Sequence, residues 1–136
     1  MTSYPLTDID GIDRETAAVL KSAGVRSSKS LLDAAATAPG RKNLAKRTGL
    51  TEKQLLVWAN LADFMSIRGV SREYADLLHK SGVDTVKELK YRNPAKLVEA
   101  MAQANRTRKL VRVLPSERRV VRWIDDAKKQ PPKISY

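Results

Sequence analysis

Ile9-Asp10-Gly11-Ile12-Asp13-Arg14-Glu15-Thr16-Ala17 and, 58 residues further on, Ile67-Arg68-Gly69-Val70-Ser71-Arg72-Glu73-Tyr74-Ala75 are two versions of one pattern. The correspondence continues from Leu20 to Leu78, from Gly24-Val25 to Gly82-Val83 and from Leu31 to Leu89. Trp58 and Trp123 pair at the larger offset of 65, so the second copy carries about seven extra residues, which the spacing places around residues 105–108. Self-similarity at such a period marks a duplicated supersecondary unit.

Small polar residues and glycines punctuate both copies. Asp13 and Ser71 stand where a helix N-cap belongs, with Glu15 and Glu73 in the first turn, where a carboxylate suits the helix dipole. Ala17 and Leu20, like Ala75 and Leu78, share a helical face, and Gly24 and Gly82 stand where a left-handed residue ends a helix. Thr51-Glu52-Lys53-Gln54 and Thr85-Val86-Lys87-Glu88 read as capping boxes. From Thr51 to about Ser66 there is neither Gly nor Pro, and Leu55, Trp58, Leu61 and Ala62 form one stripe, which predicts a long helix joining the copies. Pro39-Gly40, Asn93-Pro94 and Pro115 read as helix breaks, and Gln130-Pro131-Pro132 as the end of the last helix. No segment sustains period-two alternation. The expected fold is therefore all-α, with two units of four short helices over residues 1–64 and 65–127, one long shared helix between them, and a flexible basic tail over 128–136.

Charge separates the copies. The chain of 136 residues has 26 Lys+Arg against 15 Asp+Glu, a net charge of +11. Residues 1–64 hold nine basic and seven acidic side chains, and residues 65–136 hold seventeen and eight. The densest run contains Arg106, Arg108, Lys109, Arg112, Arg118, Arg119 and Arg122 against one acid, Glu117. Such a run cannot neutralise itself, and its self-repulsion favours an external anion. Arg41, Lys42, Lys46 and Arg47 make a lesser basic cluster in the first copy.

Composition excludes several function classes. The chain has no Cys and one His, His79, so thiolate chemistry, disulfides and multi-histidine metal sites are absent. Aromatic residues are 5% of the chain, too few for a single-strand stacking platform, and Trp58 and Trp123 read as core anchors on apolar stripes. His79 beside Leu77 and Leu78 reads as a boundary residue, and Asp125-Asp126, adjacent on a helix, diverge by about 100° and do not suit one metal. No apolar run approaches the roughly 18 residues of a membrane span, and Met1-Thr2-Ser3-Tyr4-Pro5 does not open as a signal peptide does. The expected compartment is the cytoplasm.

The repeated Ile-x-Gly-[Ile/Val]-[Asp/Ser]-Arg-Glu-x-x-Ala pattern resembles a helix-hairpin-helix motif, with Asp13 and Ser71 in place of that family's second Gly. Gly11-Ile12, Gly24-Val25, Trp58-Ala59-Asn60-Leu61-Ala62-Asp63, Ile67-Arg68-Gly69-Val70, the run from Gly82 to Leu89 and Trp123-Ile124 together are similar to a bacterial family of domains of unknown function. The resemblance spans roughly residues 6–132 and implies tandem helix-hairpin-helix-like (SAM-like) units, related in fold to the C-terminal domain of the RNA polymerase α-subunit and the N-terminal domains of RecA-like recombinases. It also implies that a hairpin grips a phosphate of duplex DNA without reading bases, using backbone N–H groups converging at a helix N-terminus.

The two hairpins differ in charge. The first carries Asp8, Asp10 and Asp13, which repel phosphate, whereas the second has Arg68 and Ser71 at the positions of Asp10 and Asp13. The expected contacts are the backbone N–H groups of Gly69, Val70 and Ser71, the Ser71 hydroxyl, and Arg68 and Arg72, joined by the basic 106–122 surface. The expected function is sequence-independent nucleic-acid binding, duplex DNA above all, by a non-enzymatic protein with no cofactor, metal or small-molecule substrate. The competing expectation is a protein-interaction or self-assembly module whose basic face docks an acidic partner or a second copy.

Overall fold

Helices begin where small polar side chains can satisfy the first free N–H groups. Asp13, Ser27, Thr37, Thr51, Thr85, Asn93 and Ser116 each accept a hydrogen bond from the backbone three residues ahead. The computed structural model describes residues 3–136; Met1 and Thr2, part of the N-terminal segment read above, lie outside them. Among the described residues it has eight α-helices: α1 Arg14–Ser22, α2 Ser28–Ala34, α3 Ala38–Thr48, α4 Glu52–Met65, α5 Arg72–Lys80, α6 Val86–Leu89, α7 Pro94–Arg108 and α8 Glu117–Lys129. A single 3-10 turn, Leu6–Asp8, precedes them, and Pro5 and Ser27 form an isolated bridge without any strand. The chain is all-α.

Both α5 and α6 start 58 residues after α1 and α2. The C-terminus of α1 closes with Gly24 N–H on Lys21 and Val25 N–H on Leu20, and that of α5 with Gly82 N–H on His79 and Val83 N–H on Leu78. This paired pattern requires a left-handed residue, supplied by Gly24 at φ 88° and Gly82 at φ 93°. Thr51 and Gln54 complete the expected capping box of α4. In α6 Thr85 accepts from Glu88 N–H, but the Glu88 carboxylate reaches back to Asp84 N–H rather than to Thr85.

One expectation on chain breaks needs correction. Pro39-Gly40 lies inside the first turn of α3 and Pro94 opens α7, because proline's missing N–H costs nothing at the start of a helix. Gly40 is required there for another reason: a Cβ would lie 2.5 Å from the Ala34 carbonyl oxygen. The extra length of the second copy begins at 105–108, as the spacing placed it, and continues into the connection that follows. Those residues form the last turn of α7, which runs 15 residues against 11 in α3, and the connection to α8 is longer.

The core is one contiguous apolar cluster. Helix α4 sits at its centre, packed against α2, α3, α5 and α6, and buries nearly every position from Trp58 to Met65. Trp58 and Trp123 are buried, as expected, and each indole Nε1 faces the hairpin glycine of its own copy. A Cβ on Gly11 would lie 2.9 Å from the Trp58 nitrogen, and one on Gly69 would lie 3.2 Å from that of Trp123. With φ of 90° and 87°, these two glycines meet both a backbone and a packing demand. The C-terminal residues, expected as a flexible tail, lie against α3 and α4: Ile134 is buried, Ser135 N–H donates to Ala36 O, and Tyr136 Oη donates to Asn60 Oδ1.

Candidate nucleic-acid interface

The turn between α4 and α5 is fixed by its apolar ends. Ile67 and Val70 are buried, which leaves Arg68 and Gly69 exposed at the tip. Helix α8 runs beside it, with Val120, Trp123, Ile124 and Ala127 in the core. On a helix that packing turns Arg118, Arg122 and Lys129 to the opposite side and leaves Arg119 half-buried on the flank. Arg68, Gly69, Arg119, Arg122 and Asp126 consequently line one recess over Trp123, and Arg68, Arg122 and Lys129 continue it along α8. Asp126 in the recess and Asp125 in its continuation partly offset the positive charge.

Arg119 is held in place by aromatic rings. Its guanidinium lies 5.1 Å from the Tyr74 ring centroid and 5.9 Å from that of Trp123, within cation–π range. Tyr74 donates its hydroxyl to Val113 O at 2.9 Å, and Arg119 Nη1 lies 3.4 Å from that hydroxyl. Tyr74 thereby joins the arginine recess to a second one lined by Glu73, Lys109 and Arg112. Lys109 ends α7 at φ 50°, the only non-glycine with positive φ among the described residues. Arg72, Arg106, Arg108 and Arg118 are exposed but line neither recess. Arg106 and Arg108 in the last turn of α7 also complement that helix's dipole.

The ion pairs are elsewhere. Within 4.0 Å the described residues pair His79 with Asp84, Lys80 with Asp76, Arg92 with Glu88 and Lys133 with Asp63. None of the basic residues from Arg68 and Arg72 to Arg122 that the sequence singles out takes part.

The glycine turns before α1 and α5 differ at the helix N-termini that follow them. In the first, Asp13 Oδ1 accepts Thr16 N–H at 2.8 Å, and this bond holds its carboxyl below the usual range. A carboxylate of the chain itself thus occupies the anion position of α1. In the second, Ser71 makes no side-chain cap and its hydroxyl instead donates to Glu73 Oε2 at 3.2 Å. The N-terminus of α5 stays open. Two expected contacts change as a result. Val70 N–H is spent on Ile67 O at 3.1 Å, because that bond closes the turn, and the Ser71 hydroxyl proton is committed to Glu73. Gly69 and Ser71 N–H have no partner among the described hydrogen bonds.

Outside this face, Arg41 leaves the lesser basic cluster altogether. It is buried, donating to Ala35 O at 2.9 Å and Ser135 O at 2.8 Å. Arg47 donates to Ala23 O at the end of α1. His79 has a neighbour that its sequence context did not suggest, with Nδ1 3.2 Å from Asp84. No helix of the described residues is long and apolar enough to cross a membrane.

Residues 10–130 match a family described as Domain of unknown function (DUF4332), which covers nearly the whole chain. The chain belongs to that family. No curated protein and no solved structure matches it. In this DUF4332 chain Tyr74 lines the candidate interface although the sequence reading did not single it out, and Lys129, read there as part of a flexible basic tail, lines it from the last turn of α8. Tyr74 replaces Thr16 in the otherwise similar repeat, and that one aromatic substitution was the available signal.

Proposed function

We infer that the protein binds nucleic acid, with duplex DNA as the favoured ligand, through the α4–α5 turn and the outer face of α8. In this reading each copy is a helix-hairpin-helix-like unit, and only the second is active. The observation that carries it is the grouping of Arg68, Arg119 and Arg122, none of them ion-paired, around the exposed Gly69 beside an uncapped helix N-terminus. Backbone N–H groups and the α5 dipole suit a phosphate oxygen, and the arginines add bidentate donors. Contacts of this kind go to the backbone of the duplex and carry no base information. The reading is of a binding protein, not an enzyme.

Fluorescence anisotropy on labelled duplex DNA across a salt series tests this. With about four phosphates engaged, log affinity falls against log salt with a slope near −3.6. Charge reversal of Arg68 and Arg122 to Glu is expected to abolish binding at moderate salt, while reversal of Arg14 and Lys21 changes it little. Equal effects of the two pairs, or a flat salt response, would reject the reading.

One observation favours the protein-partner alternative. Val113, Leu114 and Val121 are exposed, Val113 in the lining of the second basic recess, and apolar residues of this kind suit a protein surface. A partner retained on the immobilised protein after nuclease treatment, and released by R68E/R122E, would favour it.

A further inference from the structure

Residues 130–136, with Asp63 of α4 and the α6 region, line a cavity of about 490 Å3 that shares no lining residue with the arginine recess. That volume lies in the range of small-molecule sites. Asp63, from α4, lines it at 5% exposure, and its Oδ1 has no hydrogen-bond partner. The nearest ammonium, Lys133 Nζ, is 3.8 Å away and donates instead to Ser66 Oγ at 3.1 Å. Gln130 Oε1, just beyond α8, is a second buried acceptor without a partner in the same cavity. A buried acceptor left without a donor costs free energy, and two of them lining one cavity suit a ligand that brings donors. Burial also holds the Asp63 carboxyl above its usual range, against the pull of Lys133 and Lys90.

The remaining lining supplies the other half of the recognition. Lys87 and Lys90 border the cavity and neither is ion-paired, so they offer positive charge to an anionic group. Tyr91, 82% exposed, and Tyr136 provide ring faces for a flat ligand. We propose that this cavity binds a small planar anion with two N–H donors on one edge, the chemistry of a guanine mononucleotide. Its N1–H and N2–H2 groups meet Asp63 and Gln130, and its phosphate meets Lys87 and Lys90. The corresponding edge of adenine alternates donor and acceptor and would set a lone pair against one of the two protein acceptors.

Isothermal titration of the full chain with GMP, AMP and inorganic phosphate tests the assignment. GMP is expected to bind one to one, with AMP weaker by about tenfold or more and phosphate silent at about 1 mM. Asp63→Asn and Gln130→Leu should each weaken GMP by about tenfold. The double change Lys87→Ala/Lys90→Ala, at one exposed and one half-buried position, should weaken it while leaving the circular dichroism spectrum and duplex-DNA affinity unchanged. If Asp63→Asn fails to fold, the lysine double variant and the ligand series still decide. Absence of saturation by GMP, equal binding of GMP and AMP, or GMP affinity untouched by the lysine changes would overturn the proposal.

Discussion

Asp13 and Ser71 occupy the same place in two copies of one pattern, and the difference between them is the sharpest asymmetry in the molecule. A carboxylate at the N-cap bonds a first-turn N–H and fills the spot where a phosphate oxygen would sit; a hydroxyl turned towards Glu73 does neither. Ser71→Asp therefore copies the first hairpin into the second. It is expected to raise the stability of the protein by about 1 kcal/mol in urea unfolding, and to weaken duplex-DNA binding in the anisotropy assay. A stabilised variant with unchanged DNA affinity would mean that the α5 N-terminus takes no part in binding. The sequence was enough to expect both caps, since Ser and Asp are both good N-cap residues. The direction of the Ser71 hydroxyl was not legible, because it depends on the Glu73 rotamer.

At the scale of elements, helix ends were the most legible feature, since caps and left-handed glycines act within a few residues. The segment after α8 was not. Lys128, Lys129, Lys133 and two prolines look like a solvated tail, yet residues 133–136 bury Ile134 and satisfy the Arg41 guanidinium through Ser135 O. Nothing near Arg41 in sequence announces a partner 94 positions away. Deleting residues 131–136 exposes apolar surface and leaves a buried guanidinium short of an acceptor, an expected loss of about 2–4 kcal/mol. Thermal unfolding followed by circular dichroism checks this: a tail that merely adds charge would leave the midpoint unchanged.

Over the whole molecule, the net charge of +11 lies mostly in the second copy, while the packing of the copies creates a different electrostatic feature. Asp76 on α5 is buried, and its carboxyl is raised above the usual range first by burial and then by Asp10 of the first hairpin, with Lys80 opposing. A carboxyl raised on folding favours the native state most below its ordinary value near 3.8, and that contribution is lost as pH rises through the folded value. Asp76→Asn is therefore expected to raise the unfolding midpoint at pH 7, with the gain disappearing towards pH 3. A gain that persisted unchanged at pH 3 would assign it to packing instead. The duplication, the all-α class, the helix ends and the uneven charge were determined by sequence alone, because each rests on spacing or on groups a few bonds apart. Tertiary structure alone decided that Arg68 meets Arg119 and Arg122, that Asp10 faces Asp76, and that Asp63 and Gln130 share a cavity. Those meetings join residues some 50 or more positions apart, and which side chains face each other is settled only when apolar faces pack and fix the rotation of each helix.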